Sequence, residues 1–168
     1  NKKYKIIIII NKDDIETFNA IKDLNCEVLF QSGIGYGNAI LEGIKKCKTE
    51  FVAIFYADGS TDPKYLEPMI EKITKQGQSI IFGSRYEKGA HSYDDDLITR
   101  IGNYFFTIIG NIFFSLKISD LLFTYIVAKR KDLEIMNLES NNFCLCVELP
   151  IKAKRMKIPY TTHPCIER

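Results

Sequence analysis

Residues 51–63 read FVAIFYADGSTDP, and the chain passes from apolar to acidic within this one stretch. The β-branched and aromatic run at residues 51–57 is typical of a strand buried in a sheet. The DGST segment that follows favours a turn, and Pro63 occupies a position where a helix can begin. In sheets of parallel strands, ligands collect at the carboxyl ends of the strands. The stretch therefore predicts a buried strand whose polar end faces a ligand crevice.

Similar patterns lie on both sides of this stretch. Further strands are predicted over residues 4–10, 27–30, 79–83 and 123–128, and helices over residues 15–24, 38–47, 65–73, 97–116 and 147–156. Strands that alternate with helices predict an α/β fold with a mostly parallel sheet and helices on its faces. The polar residues 86–96 are predicted to move, and residues 129–132, KRKD, to form a turn. No internal repeat or linker appears, so residues 1–168 are expected to form one domain.

The composition limits the partners of the chain. Its 168 residues are 46% hydrophobic and 26% charged, which is typical of a globular domain. A formal net charge of +2, without a basic run that alternates with aromatics, argues against nucleic acid. The five cysteines form no CxxC pair, so neither a zinc site nor a disulfide framework is expected. Buried reduced thiols and a cytoplasmic location are the expectation.

The longest apolar segment runs from residue 104 to residue 116. It is shorter than the ~20 residues that span a bilayer, and Asn111 interrupts it. Its aromatic side chains recur at helical spacing, which predicts a helix packed in the core. The alternative is a helix that lies on the inner face of a membrane, which would suit an enzyme with a lipid phosphate as acceptor.

The DGS turn carries the clearest chemistry. Asp58, with Gly59 beside it and Ser60 after it, can ligate a hard divalent cation such as Mg²⁺ or Mn²⁺ through oxygen. Arg85, at the end of the next strand, could hold phosphate oxygens with its planar fork. Metal and arginine together would stabilise a diphosphate leaving group. The alternative is a plain Asp-Gly turn in which Thr61 or Asp62 caps the next helix.

The glycine-rich turn at residues 33–37, GIGYG, invites comparison with dinucleotide-binding loops. It lacks the full GxGxxG form, and Gly43 comes too late to complete it. An NAD site is therefore not predicted.

Several segments together resemble one family. GIGYGNAILEG, FVAIFYADGSTDP, IIFGSRYEKGA and RIGN are followed by a segment from Asp120 to Lys129-Arg130, and then by residues 143–168, which end in HPCIER. In this order they resemble the catalytic domain of family-2 glycosyltransferases, and most of all the dolichyl-phosphate mannose synthase-like branch. The resemblance covers nearly the whole chain. It implies the GT-A fold, a three-layer sandwich with a mostly parallel central sheet. The family's first strand is missing, since residues 4–10 fit its second strand.

The resemblance implies roles for residues on the donor side. Asp58 matches the second carboxylate of the DxD motif, which carries the metal and the nucleotide diphosphate. Ser60 matches the next metal-side position, with Gly59 between them in the substrate site. Arg85 matches an arginine near the phosphates. The small residues that let loop and helix pack beside the nucleotide are matched by Gly35, Ala39 and Gly43.

On the acceptor side, the resemblance implies that Asp120 is the acidic residue near the sugar, a base if the acceptor is a hydroxyl. Arg100 and Arg168 match basic positions near the acceptor. The implied function is transfer of a hexose from a nucleotide-diphosphate sugar to a polyprenyl phosphate or a glycan, with contact to a membrane.

The chain also departs from the family pattern. Tyr56 stands where the first Asp of DxD belongs, which removes one anionic metal ligand. The acidic pair after the second strand is replaced at residues 10–12, and residues 94–96, DDD, occupy a stretch where relatives carry basic residues. These three aspartates are expected in a solvated loop. The alternative function is a degenerate relative that binds nucleotide, or a partner, without turnover.

Overall fold

The computed structural model describes residues 4–168. The elements, in chain order, are β1 (Ile7–Ile10), α1 (Ile15–Ile21), β2 (Glu27–Phe30), α2 (Tyr36–Lys46), β3 (Phe51–Ile54), a 3₁₀ turn (Pro63–Tyr65), α3 (Leu66–Gln76), β4 (Ile80–Ser84), β5 (His91–Ser92), α4 (Leu97–Phe114), β6 (Ile126–Lys129), α5 (Arg130–Ile135), α6 (Leu145–Arg155), β7 (Tyr160–Pro164) and β8 (Ile166–Glu167). The alternation of strands and helices confirms the α/β prediction.

The central sheet has four strands in the order β3-β6-β4-β7. β6 is antiparallel to both of its neighbours, whereas β4 and β7 are parallel. Three strands thus run in one direction and β6 runs against them, so the sheet is mixed. The apolar run of β6 shows that it is buried but contains no signal for its direction.

β1 and β2 form a separate parallel pair, and β5 pairs with β8. Within residues 4–168, no strand pairs with the second edge of β1 or of β3. This agrees with the expected lack of the family's first strand.

The two middle strands of the central sheet, β4 and β6, are buried on both faces, and successive residues of a strand point to opposite sides. Ile126 and Ala128 of β6 pack with side chains from α2, α5 and α6, whereas Val127 packs with side chains from α3. The result is three layers, as expected.

Two local predictions were wrong. The KRKD segment forms no turn, because Lys129 ends β6 and Arg130 opens α5 directly after it. Residues 160–167 contribute two strands that were not predicted, because YTTHP is polar and only partly buried. Residues 160–164 form a strand because they pair with β4, and a search for apolar periodicity does not detect such a strand.

Residues 86–96 were predicted to be mobile and solvated. Instead, β5 within them pairs with β8, and the carboxylate of Asp95 is almost fully buried. Asp96 caps α4 by accepting a hydrogen bond from Thr99 N, and Asp94 alone of the three aspartates is exposed without such a role. The expectation of a plain solvated loop is corrected.

The expectation of a core helix at residues 97–116 was wrong. Only Thr107 and Gly110 of α4 are buried, and the aromatic side chains of the helix are exposed. By length and composition alone, α4 could cross a membrane. Only 11% of it is buried inside the protein, so it is not a core helix.

All five cysteines are free. Cys146 and Cys165 are buried as predicted, whereas Cys26 and Cys47 are half-buried and Cys144 is exposed.

Candidate active site

The DGS turn lies just beyond the carboxyl end of β3 and is exposed. Asp58 Oδ1 accepts a hydrogen bond from Ser60 N at 2.9 Å, and Gly59 has a φ of 85°, which favours glycine. Hydrogen bonds from the side chain and backbone of Ser60 lower the pKa of Asp58 below its usual range. The carboxylate is therefore ionised and open to a cation.

The donor set fits a cation that arrives with a diphosphate. No group of three His, Cys, Asp or Glu side chains suited to a metal occurs in residues 4–168. Asp62 is already engaged, since it caps the 3₁₀ turn and pairs with Lys64. This leaves one carboxylate and the Ser60 hydroxyl, and Mg²⁺ often takes only one or two protein carboxylates and completes its shell with waters and phosphates.

Tyr56 belongs to an aromatic cluster rather than to the metal side of the turn. Its hydroxyl accepts a hydrogen bond from Tyr36 OH at 3.1 Å, and the two rings stack with centroids 6.0 Å apart. Phe143 also stacks on Tyr36, with ring centroids 4.6 Å apart. Burial raises the pKa of Tyr36. We call Tyr36, Tyr56 and Phe143 the aromatic stack.

The protein itself fills the space beside two of the predicted small residues. A Cβ on Gly35, whose φ is 106°, would lie 2.2 Å from Asn141 O. A Cβ on Gly43 would lie 2.9 Å from Ile9 Cδ1 in β1. The lack of a side chain at Gly35 thus lets the loop at residues 139–143 pack closely, and the lack of one at Gly43 lets β1 do so. The contacts at Gly35 and Gly43 agree with small residues that allow close packing of loop and helix. The place of Gly35, Ala39 and Gly43 beside a nucleotide stays a prediction.

Glu148 holds the loop at residues 139–143 in place. Its two carboxylate oxygens accept hydrogen bonds from Glu139 N and Ser140 N, both at 2.8 Å, and Lys152 Nζ lies 2.7 Å away. Burial raises the pKa of Glu148, but hydrogen bonds from Lys152 and Ser140 outweigh it and lower the pKa to about 2. The sequence predicted the helix that contains Glu148, but it did not predict the hydrogen bonds from Glu148 to the loop at residues 139–143.

We expect Glu148→Gln to lower the free energy of unfolding by about 1–2 kcal/mol at pH 7. Because the pKa of Glu148 is depressed from its ordinary value of 4.5 to about 2, this stabilisation is present above pH 4.5 and is lost as the pH falls towards 2. Urea titrations at several pH values measure it, with Glu71→Gln, an exposed partner of Lys75, as control. A deficit that is the same at pH 7 and pH 2.5 would contradict the anchor.

Arg85 and Asp120 form a buried pair. Arg85 Nε and Nη2 donate to Asp120 Oδ2 and Oδ1 at 2.8 and 3.1 Å, and Arg85 N donates to Oδ2 at 3.1 Å. The residues are 9% and 1% exposed. Nη1 donates to Glu167 Oε2 at 3.2 Å and lies 3.6 Å from Asp95 Oδ1. Burial lowers the pKa of Arg85, but Asp120 and Glu167 raise it further than burial lowers it.

We call Arg85, Asp95, Asp120 and Glu167 the Arg85 cluster. Their contacts limit the catalytic roles that were predicted for Arg85 and Asp120. Both oxygens of Asp120 accept from Arg85, so Asp120 is not poised to take a proton, and most of the Arg85 fork is occupied. The roles of base and phosphate ligand stay predictions that require the pair to open. The sequence did not single out Glu167, and Asp95 was expected in a solvated loop, since nothing local marks a carboxylate as buried.

The other two arginines predicted in the site, Arg100 and Arg168, lie at different places, and Arg100 shares a cavity with Arg85. Arg100 lines an open cavity of about 510 Å³ together with Tyr86 and Tyr104. Arg168 lies at the DGS turn, where its backbone N donates to Ser60 O at 2.9 Å and its Nη2 is 3.6 Å from Asp62. Arg168 was predicted near the acceptor, and its backbone contact places it beside the metal-side turn instead.

The fold of the chain is that of the GT-A glycosyltransferases. The crystal structure of glucosyl-3-phosphoglycerate synthase from Mycobacterium tuberculosis with phosphoglyceric acid matches at a TM-score of 0.65 and 13% identity, over 96% of this chain and 60% of that one. Its complex with Mn²⁺, UDP-glucose and phosphoglyceric acid matches at 0.72 and 12%, over 93% and 57%. At such identities the likeness establishes the fold alone.

The chain belongs to glycosyl transferase family 2, whose profile matches residues 1–135. The uncharacterized protein MJ1222 of Methanocaldococcus jannaschii is 27% identical over 164 residues, which are 90% of this chain and 65% of that protein. The chain therefore spans less than two thirds of the length of these relatives.

Proposed function

We propose that the chain forms the catalytic domain of a transferase that moves a hexose from a nucleotide-diphosphate sugar to a polyprenyl phosphate, in the dolichyl-phosphate mannose synthase-like branch. The observation that carries the proposal is the exposed, ionised Asp58 in a turn to which Arg168 is bound. The reaction would take place at the cytoplasmic face of a membrane, in keeping with the five free cysteines.

On the donor side, Asp58 and Ser60 would hold Mg²⁺ or Mn²⁺, as the Mn²⁺ and UDP-glucose in the mycobacterial synthase suggest. The cation would supply charge to the diphosphate leaving group. Arg168 would add a second positive charge, because its side chain is 70% exposed and its ion pair with Asp62 is long, at 3.6 Å. Arg85, occupied by carboxylates, would contribute structure rather than contact.

On the acceptor side, the guanidinium of Arg100 makes no hydrogen bond or ion pair with the described residues, although it lines the cavity. A free cation beside Tyr104 and Ile101 suits a phosphate that carries an apolar chain.

The hydrogen bonds from Arg85 to both carboxylate oxygens of Asp120 favour a phosphate over a glycan as acceptor. A glycan hydroxyl needs a base to accept its proton as it attacks, whereas a phosphate monoester, with a second pKa of about 6, is already an anionic nucleophile at neutral pH. Because Asp120 is paired to Arg85 through both oxygens, the acceptor that needs no base fits the site better. A glycan acceptor stays the alternative.

The second candidate is a degenerate relative that binds nucleotide without turnover. It is favoured by Tyr56, which stands in place of a carboxylate and is directed into the aromatic stack.

We expect UDP or GDP to bind in the presence of Mn²⁺, and the affinity to fall by about tenfold or more in Asp58→Ala, because a charge-assisted contact is worth about 1.5–3 kcal/mol. With one protein carboxylate in the site, Mn²⁺ alone should bind weakly. Calorimetric titration measures both effects, and Asp13→Ala, an exposed aspartate in another turn, is the control. If no nucleotide binds the parent chain, the donor site is refuted.

Transfer of radiolabelled hexose from its nucleotide donor to polyprenyl phosphate separates an enzyme from a binder. Label in the organic phase, lost in Asp58→Ala, is expected. Nucleotide binding without transfer to polyprenyl phosphate or to a glycan would favour the degenerate relative.

A further inference from the structure

The short strand β8 connects the Arg85 cluster to the DGS turn at residues 58–60. On one side β8 pairs with β5, and on the other side Glu167 forms an antiparallel bridge with Thr61. Next to this bridge, Arg168 N donates to Ser60 O at 2.9 Å. The backbone of the DGS turn is therefore bound to the backbone of residues 167–168.

The side chain of Glu167 holds β8 to the Arg85 cluster. Its Oε2 accepts from Arg85 Nη1 at 3.2 Å and from Ser92 Oγ at 2.6 Å, and the residue is 7% exposed. The main-chain oxygen of Glu167 accepts from Tyr93 N at 3.1 Å. Glu167 thus contacts the cluster through its side chain and contacts β5 and the turn through its backbone.

The DGS turn has few contacts of its own. A Cβ on Gly59 would meet nothing within 4 Å, and Asp58 accepts its hydrogen bond from Ser60 N, inside the turn. Thr61, which is buried, fixes the end of the turn through a bond from its Oγ1 to Tyr56 O at 3.1 Å. The position of Ser60, and through it that of the Asp58 carboxylate, therefore depends on Thr61 and on β8.

Charge balance alone does not explain the bond between Arg85 and Glu167. Arg85 already donates to both oxygens of Asp120 through Nε and Nη2. The further bond, from Nη1, adds a connection between the cluster and β8, and β8 is the strand that contacts the turn.

We propose that Glu167 is a positioning residue, which holds the DGS turn in the form that binds a cation and its diphosphate. Glu167 acts through β8 and Ser60, not by contact with the donor. Groups that orient a metal ligand in this way typically change metal affinity by about 10–100-fold. The proposal rests on the proposed function, in which Asp58 and Ser60 hold the cation.

Calorimetric titration of UDP or GDP with Mn²⁺ tests the effect on the donor site. Glu167→Ala, confirmed as folded by circular dichroism, should bind about tenfold more weakly than the parent. Glu167→Gln keeps an oxygen that can accept from both Arg85 and Ser92, so it should bind within about threefold of the parent. Glu27→Gln is the control, since Glu27 lies in β2, outside the central sheet, and pairs with Lys5 and Lys46. Binding by Glu167→Ala that equals the parent's, or an equal loss in Glu27→Gln, would overturn the proposal.

Amide hydrogen exchange tests the position of the turn without any nucleotide. The amides of Ser60 and Arg168 should exchange about tenfold faster in Glu167→Ala than in the parent, and at nearly the parent rate in Glu167→Gln. The amide of Thr17, which donates to Asp14 in the cap of α1, should not change and reports on general loosening of the fold. Unchanged exchange at Ser60 and Arg168 in Glu167→Ala would contradict the positioning role.

The two measurements separate this proposal from the proposed function. If the parent binds no nucleotide but exchange at Ser60 and Arg168 accelerates in Glu167→Ala, the donor site is refuted and the hold of Glu167 on the turn is supported. If the parent binds nucleotide and Glu167→Ala changes neither affinity nor exchange, the positioning role alone is refuted.

Discussion

Arg85→Ala is expected to lower the free energy of unfolding by about 3–5 kcal/mol, since removal of one partner from a buried ion pair leaves uncompensated charge. Here three carboxylates lose their shared cation: Asp120, which is 1% exposed, Glu167 and Asp95. Urea denaturation at pH 7 measures the loss. Arg100→Ala, which removes an exposed arginine, should change stability by no more than about 0.5 kcal/mol.

The large effect is expected because the Arg85 cluster joins four distant segments. Arg85 follows β4, Asp120 precedes β6, Asp95 precedes α4 and Glu167 lies in β8. Ser92 Oγ also donates to Glu167 at 2.6 Å, and Tyr86 OH donates to Asp95. A loss below about 1 kcal/mol for Arg85→Ala would mean that the cluster is open in solution, which would return Arg85 and Asp120 to their predicted catalytic roles.

Gly37→Ala is expected to cost about 3 kcal/mol or more, because a Cβ at this position would lie 2.1 Å from Ser140 O and 2.7 Å from Asn142 O. Both atoms are backbone, so no side-chain rotation relieves the overlap. The loop at residues 139–143 must then move, and the aromatic stack loses Phe143. Thermal and urea unfolding measure the stability, and near-ultraviolet circular dichroism reports on the stack.

Two other glycines provide matched controls for Gly37. Gly102 lies in α4 with nothing within 4 Å of its Cβ position, so Gly102→Ala should be neutral or stabilise by about 0.5–1 kcal/mol. Gly43→Ala meets only the flexible end of Ile9, at 2.9 Å, and should fall between the two. Equal effects at Gly37 and Gly102 would indicate that the loop does not pack on α2 in solution.

Much of the candidate site followed from local sequence. The apolar run at residues 51–57 ended, as predicted, in a polar turn that holds Asp58 and Ser60. The predicted burial was wrong, since β3 is an edge strand that ends at Ile54 and only Val52 of it is buried. The resemblance to family-2 glycosyltransferases was confirmed by the match over residues 1–135, whereas the dolichyl-phosphate mannose synthase-like branch stays a prediction. Asp62 caps the 3₁₀ turn, as the alternative interpretation of this segment proposed, and Asp58 is exposed. A capped turn and a metal-ligating carboxylate are therefore compatible.

Most of the errors share one cause, since they concern a partner that is distant in the sequence. The exception is the KRKD segment, where a turn was predicted and a helix begins. Helical spacing showed that α4 has an apolar side but not that this side faces away from the protein. Arg85 was located correctly at a strand end, yet its carboxylate partners are 10, 35 and 82 positions away at Asp95, Asp120 and Glu167. Tyr56 looked like a defect in a metal site until Tyr36 was found beside it.

The sequence by itself determined the α/β alternation, the family and the polar turn at Asp58, because strand propensity, helical periodicity and turn chemistry act between residues that are close along the chain. Tertiary structure alone decided the direction of β6, the burial of the Arg85 cluster and the exposure of the apolar side chains of α4. These depend on which distant segments meet, and burial and charge compensation exist only once they have met.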